Sequence, residues 1–85
     1  MQTFKRSDLV KIQYLGDAYL YTDSQCWLGT GERHINAVTP ETIVEIVDAE
    51  DIERIVLWFP LQGKYSFCSS HNLKLVAEGK LHANS

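Results

Sequence analysis

The stretch Arg54-Ile55-Val56-Leu57-Trp58-Phe59-Pro60-Leu61-Gln62-Gly63-Lys64-Tyr65-Ser66-Phe67-Cys68-Ser69-Ser70-His71-Asn72-Leu73-Lys74-Leu75-Val76 decides the fold. It reads as strand, turn, strand, tight turn, strand. Ile55, Leu57 and Phe59 share one face of the first strand, and Val56 and Trp58 point the other way. Pro60 cannot donate to a ladder and ends that strand, and Leu61-Gln62-Gly63 makes the turn. Lys64–Cys68 alternates, with Tyr65 and Phe67 on one face. Ser69–Asn72 is dense in turn formers, and Leu73–Val76 closes the pattern.

Upstream the signals are weaker. Val10, Ile12 and Tyr14 alternate with Lys11 and Gln13, as in a half-buried strand. Leu15-Gly16-Asp17 reads as a turn, and Ala18–Tyr21 as a second extended stretch with Tyr19 and Tyr21 on one face. Gln25–Leu28 is a short apolar stretch before Gly29-Thr30-Gly31, where a turn needing φ > 0 is the expectation. His34–Val38 is a further short strand. Thr39–Leu57 admits two readings. Thr39-Pro40-Glu41 suits a helix start with proline at the first helical position, which would give one short helix near residues 40–50. Thr42–Val47 is rich in β-branched residues, whose stiff side chains favour a strand, and strand is the reading adopted.

At 85 residues there is room for one domain, 1–85, with a polar tail from about residue 78. With 45% hydrophobic and 11% aromatic residues, the chain is too apolar to be a disordered segment. The net charge is −3, and Glu41, Glu45, Asp48, Glu50, Asp51 and Glu53 crowd the middle without a basic residue among them. The basic residues are scattered singly except for Lys5-Arg6, which weighs against the clustered charge that nucleic-acid binding requires. The longest apolar run, Ile55–Leu61, is too short to span a bilayer. No apolar signal segment opens the sequence, and two cysteines without one suit a reducing compartment.

The order of parts resembles the SH3-like small-barrel family, particularly its short members from tailed bacteriophages. The matching residues are Asp8-Leu9-Val10-Lys11-Ile12, Gly29-x-Gly31, Thr42–Val47, Arg54–Trp58, Gly63-Lys64-Tyr65 and Asn72–Val76. The resemblance implies a mainly β, SH3-like barrel of five to seven strands, with a 3₁₀ turn at about Ser69–Asn72. In two respects the chain departs from the family. The Tyr14–Val38 excursion is longer than usual, which leaves space for an extra hairpin. The acidic loop and aromatic-proline groove that bind polyproline are missing, so that ligand is not expected.

No motif carries catalysis. Cys26, His34, Cys68 and His71 could supply thiolate and imidazole to zinc, but Cys26-x₇-His34 is not a knuckle spacing, and no metal or cofactor is expected. Ser69 and Ser70 beside His71 supply no third orienting group, and Gly29-x-Gly31 lacks the remainder of a phosphate-binding loop. The expected function is therefore a non-catalytic protein-binding module of bacteriophage type. It would be a small virion component or a modulator docking on a host factor, in the host cytoplasm or the virion, with self-assembly also open. The candidate contact residues are Trp58, Tyr19, Tyr21 and Trp27, as aromatic anchors, with Glu50, Asp51 and Glu53 steering a basic partner. The alternative is a nucleic-acid-associated barrel acting through Lys5, Arg6 and Lys11.

Overall fold

The computed structural model describes residues 3–79; most of the expected polar tail lies outside them. Among the described residues there are seven strands: β1 (Leu9–Ile12), β2 (Gly16–Leu20), β3 (Glu32–Val38), β4 (Ile43–Asp48), β5 (Ile55–Phe59), β6 (Lys64–Cys68) and β7 (Leu73–Ala77). Two 3₁₀ turns, Leu28–Thr30 and Ser70–Asn72, complete the elements. The fold is mainly β. The β-branched run after Pro40 is strand β4, and the competing helix does not form.

The strands make a five-stranded antiparallel sheet, ordered β6-β5-β4-β1-β7, and a two-stranded sheet of β2 and β3. They do not close into the barrel that the resemblance implied. The physical reason is the long excursion after β1, which pairs with itself as a hairpin instead of continuing the ladder. It rejoins the large sheet at one place, where Tyr21 and Tyr65 exchange backbone hydrogen bonds of 2.7 and 2.8 Å. Ser66 strengthens that seam by donating its hydroxyl to the Tyr19 carbonyl at 2.8 Å.

The inner face of the large sheet and the hairpin enclose the main core. Val10, Val44, Ile46, Ile55, Leu57, Phe59 and Leu73 from the sheet meet Ala18, Leu20, Ala37 and Val38 from the hairpin. A second cluster lies on the opposite face of β5, where Tyr21, Cys26 and Val56 pack with Val47, Tyr65 and Phe67. Strand β5 is therefore covered on both sides at Val56, whereas simple alternation leaves one side for solvent. Tyr14 departs from its expected face: Val10 and Ile12 are buried, but the chain bends after Ile12 and leaves Tyr14 exposed.

Two local devices shape the hairpin. Register slips between Gly16 and Ala18 leave residues 35–37 bulged opposite Asp17. Asn36 takes a left-handed φ of 56° there, and Asp17 holds the bulge by accepting from the Asn36 N–H at 3.0 Å and from Arg33 Nε at 2.8 Å. The Asn36 amide first, and then the Arg33 guanidinium, keeps the Asp17 carboxyl below the usual carboxylate range. Gly31 has an ordinary φ of −79°, so no positive φ accounts for this glycine. Its reason is space, because a Cβ at Gly31 would lie 2.6 Å from the Tyr21 ring.

Candidate functional site

The aromatic candidates separate by burial. Tyr21 is 4% exposed and stacks on Phe67 with ring centroids 5.9 Å apart, so it belongs to the core and shares no open face with Tyr19. The correction has a backbone cause. Ala18 and Leu20 face the main core, so the alternation holds; Tyr21 is buried because its bridge to β6 carries it into the second cluster. Tyr19 is exposed. Trp58 is half-buried on the outer face of β5, its ring 4.9 Å from that of Tyr65. Trp27 is the open one, at 66% exposure.

What holds Trp27 in the open is the loop that carries it. Asp23 caps the bend by accepting from the Gln25 N–H at 3.0 Å, and Cys26 adopts a left-handed φ of 52° with its side chain buried. Arg54 then fixes the loop from outside: its guanidinium donates to the carbonyls of Gln25 (2.6 Å) and Cys26 (3.2 Å). The same guanidinium lies 4.5 Å from the centre of the Phe67 ring, within cation–π range. Cys26 points in, and its neighbour Trp27 is forced out. Gln25, Cys26, Trp27 and Arg54 line an open cleft.

Arg54 also ends the acidic turn. Its backbone N–H donates to the Asp51 carbonyl at 2.9 Å, and Asp48 and Asp51 cap their own bends by accepting from Glu50 and Glu53. A hydrogen bond from the Ser70 N–H to the Ile52 carbonyl, 2.8 Å, ties this turn to the second 3₁₀ turn. Asp48, Glu50, Asp51 and Glu53 are all exposed. Among the described residues the ion pairs are Lys5–Glu78, Arg33–Asp17 and His34–Glu32, so none neutralises these four carboxylates. Arg54, the cation nearest in sequence, is committed to backbone carbonyls. Arg54 thus links the Trp27 loop, through its guanidinium, to the acidic turn, through its backbone N–H on Asp51, and Trp58 lies apart on the sheet face. Sequence reasoning missed Arg54; its signal was a lone arginine closing a run of acids.

The basic residues of the alternative reading meet acids. Lys5 and Arg6 line a cleft with Asp48 and Glu50, the Lys5 ammonium pairs with Glu78 at 3.5 Å, and Lys11 stands apart on the outer face of β1. The four zinc candidates are dispersed: Cys26 lies in the second cluster and Cys68 packs against the main core. Among the described residues, no group of three or more His, Cys, Asp or Glu side chains is placed to hold a metal. Ser69 Oγ stands 3.1 Å from His71 Nδ1, but it is also the cap of the 3₁₀ turn, accepting from the His71 N–H. Among the described residues, no helix is long and apolar enough to cross a membrane.

Burial pushes the Cys68 thiol up to about 11 and raises Cys26 as well, where the neighbouring Arg54 partly opposes it. At pH 8 roughly one in a thousand Cys68 side chains is thiolate, against about one in ten for an unshifted thiol. Alkylation of Cys68 at pH 8, followed residue by residue by mass spectrometry, is expected to run about a hundredfold slower in the folded chain than in urea. A difference below about tenfold would contradict this burial. The sign for stability follows: the unfolded thiol releases its proton first, so stability falls as pH rises above about 9 towards the folded value.

Comparison with protein-family models, with curated proteins and with solved structures finds no match to this chain.

Proposed function

We propose that the chain is a non-catalytic protein-binding module whose contact surface is Trp27 with the acidic turn Asp48–Glu53, and whose partner presents a basic segment. The observation that carries this is the 66% exposure of a tryptophan on a loop pinned by Arg54. Exposing a large indole is costly in water, and holding it in one place is worthwhile when a partner covers it. The adjacent unpaired carboxylates favour a cationic partner and speed its approach. The mixed-sign cleft at Lys5 and Arg6 favours a protein over a polyanion. From the bacteriophage-type resemblance we propose the setting as well: a small virion component or a modulator docking on a host factor.

The test is affinity capture from host lysate and from assembled particles, using the wild type, Trp27→Ala and the triple change Glu50→Lys, Asp51→Lys, Glu53→Lys. Each variant is first checked for native circular dichroism. Recovery of the specific partner should fall at least about tenfold for Trp27→Ala, as for an interface anchor. The triple change should weaken wild-type-like capture most at low salt. Equal recovery by all three chains would overturn the assignment, and recovery from only one source would distinguish particle from host.

A further inference from the structure

The outer face of the five-stranded sheet carries a charge pattern that fits a second copy of itself. Cross-strand register places Tyr65, Trp58, Glu45 and Leu9 in one row. The adjacent row runs Ile43, Lys11, Lys74, with Pro60 and Leu61 flanking Ile43. Leu9 and Ile43 are about two-fifths exposed, at 40% and 39%, and Leu61 stands at 92%. A diagonal drawn from Leu9 to Ile43 divides this face. Glu45, Trp58 and Tyr65 lie on one side of it, and Lys11 and Lys74 lie on the other. None of Glu45, Lys11 and Lys74 takes part in an ion pair among the described residues.

We propose that the chain forms a two-fold dimer through this face, with the axis along the Leu9–Ile43 diagonal. Such an axis seats Leu9 and Ile43 near their own copies and sets Glu45 opposite Lys11 of the second copy, twice. It also carries Lys74 of the second copy over the Trp58 ring, an arrangement that a cation and an indole favour. An isologous interface requires this kind of self-complementarity, in which a residue on one side of the axis finds its complement on the other. A partner of different sequence would not require acid and base to be disposed about a diagonal. The face differs from the Trp27 surface, and the proposal stands independently of it. The expected dissociation constant is about micromolar, that of a weak self-association.

Sedimentation velocity of the full chain from about 1 to 500 µM tests the proposal. The wild type should shift from monomer to dimer within this range. Lys11→Glu and Glu45→Lys each create two like-charge contacts across the axis, and each should weaken dimerisation at least about tenfold. Mixing the two variants should restore the dimer as a heterodimer, because each then supplies the charge that the other lacks. Folding of each variant is confirmed by its circular dichroism. A wild type that stays monomeric throughout overturns the proposal, and so does a mixture that fails to associate when both singles are folded.

Discussion

Phe59→Ala is expected to lower the free energy of unfolding by about 3–5 kcal/mol, the usual cost of truncating a buried phenylalanine. Phe59 is 1% exposed and is the largest fully buried side chain of the chain's described part. It ends β5, and its carbonyl accepts from the Gly63 N–H at 2.9 Å, so the core contact and the β5–β6 turn meet at one residue. A domain of this size holds roughly 4–13 kcal/mol in total, and the loss is therefore about a quarter or more of its stability. Urea unfolding followed by tryptophan fluorescence gives the value. Trp58→Ala is the control, read by circular dichroism because it removes a fluorophore. It lies next along the strand on the outer face and is half-buried, so a cost of about half or less is expected. Equal costs would mean that the two faces of β5 have been assigned wrongly.

That contrast shows which parts of the fold were legible in the sequence. Residues 54–76 were, because strict alternation, Pro60 and a glycine at a left-handed φ of 64°, Gly63, all act locally. Strand β4 was legible too, since β-branched side chains state their preference within a few residues. Tyr21 was not, because its burial depends on where the hairpin rejoins β6, a contact with Tyr65 far along the chain. The bulge at Asn36 left a faint signal, an asparagine inside a strand, where that residue is disfavoured but tolerates left-handed backbone. For the candidate site, the sequence supplied the residue types, Trp27 and the acids, without their assembly. Arg54 performs that assembly by reaching backbone carbonyls at Gln25 and Cys26, and carbonyls have no sequence signature.

The least legible residue was Asp8, and its replacement by alanine is the second large effect expected. Asp8 is 2% exposed. One carboxylate oxygen accepts from the Gly79 N–H at 2.7 Å and the other from the Lys5 N–H at 3.0 Å. Its backbone carbonyl accepts from the Ile46 N–H at 2.9 Å, beside a 2.8 Å bond from the Ser7 N–H to the Ile46 carbonyl. One residue thus clamps the turn before β1, strand β4 and the segment after β7. Removing the carboxylate strands two partly buried donors, at about 1–3 kcal/mol each, less what water recovers. Asp8→Ala should therefore cost about 2–4 kcal/mol in urea unfolding, and amide exchange at Gly79 should accelerate with it. Asp8→Asn should fall between alanine and wild type, because its single carbonyl oxygen serves one donor while its amide meets the other N–H head on. Gly79→Ala attacks the same joint from the opposite side, since the added Cβ would sit 2.4 Å from the Ser7 carbonyl carbon. If both changes act by opening one clamp, their double mutant should cost clearly less than the sum. Full additivity, or an Asp8→Ala cost below about 0.5 kcal/mol, would show that Asp8 does not hold these segments together.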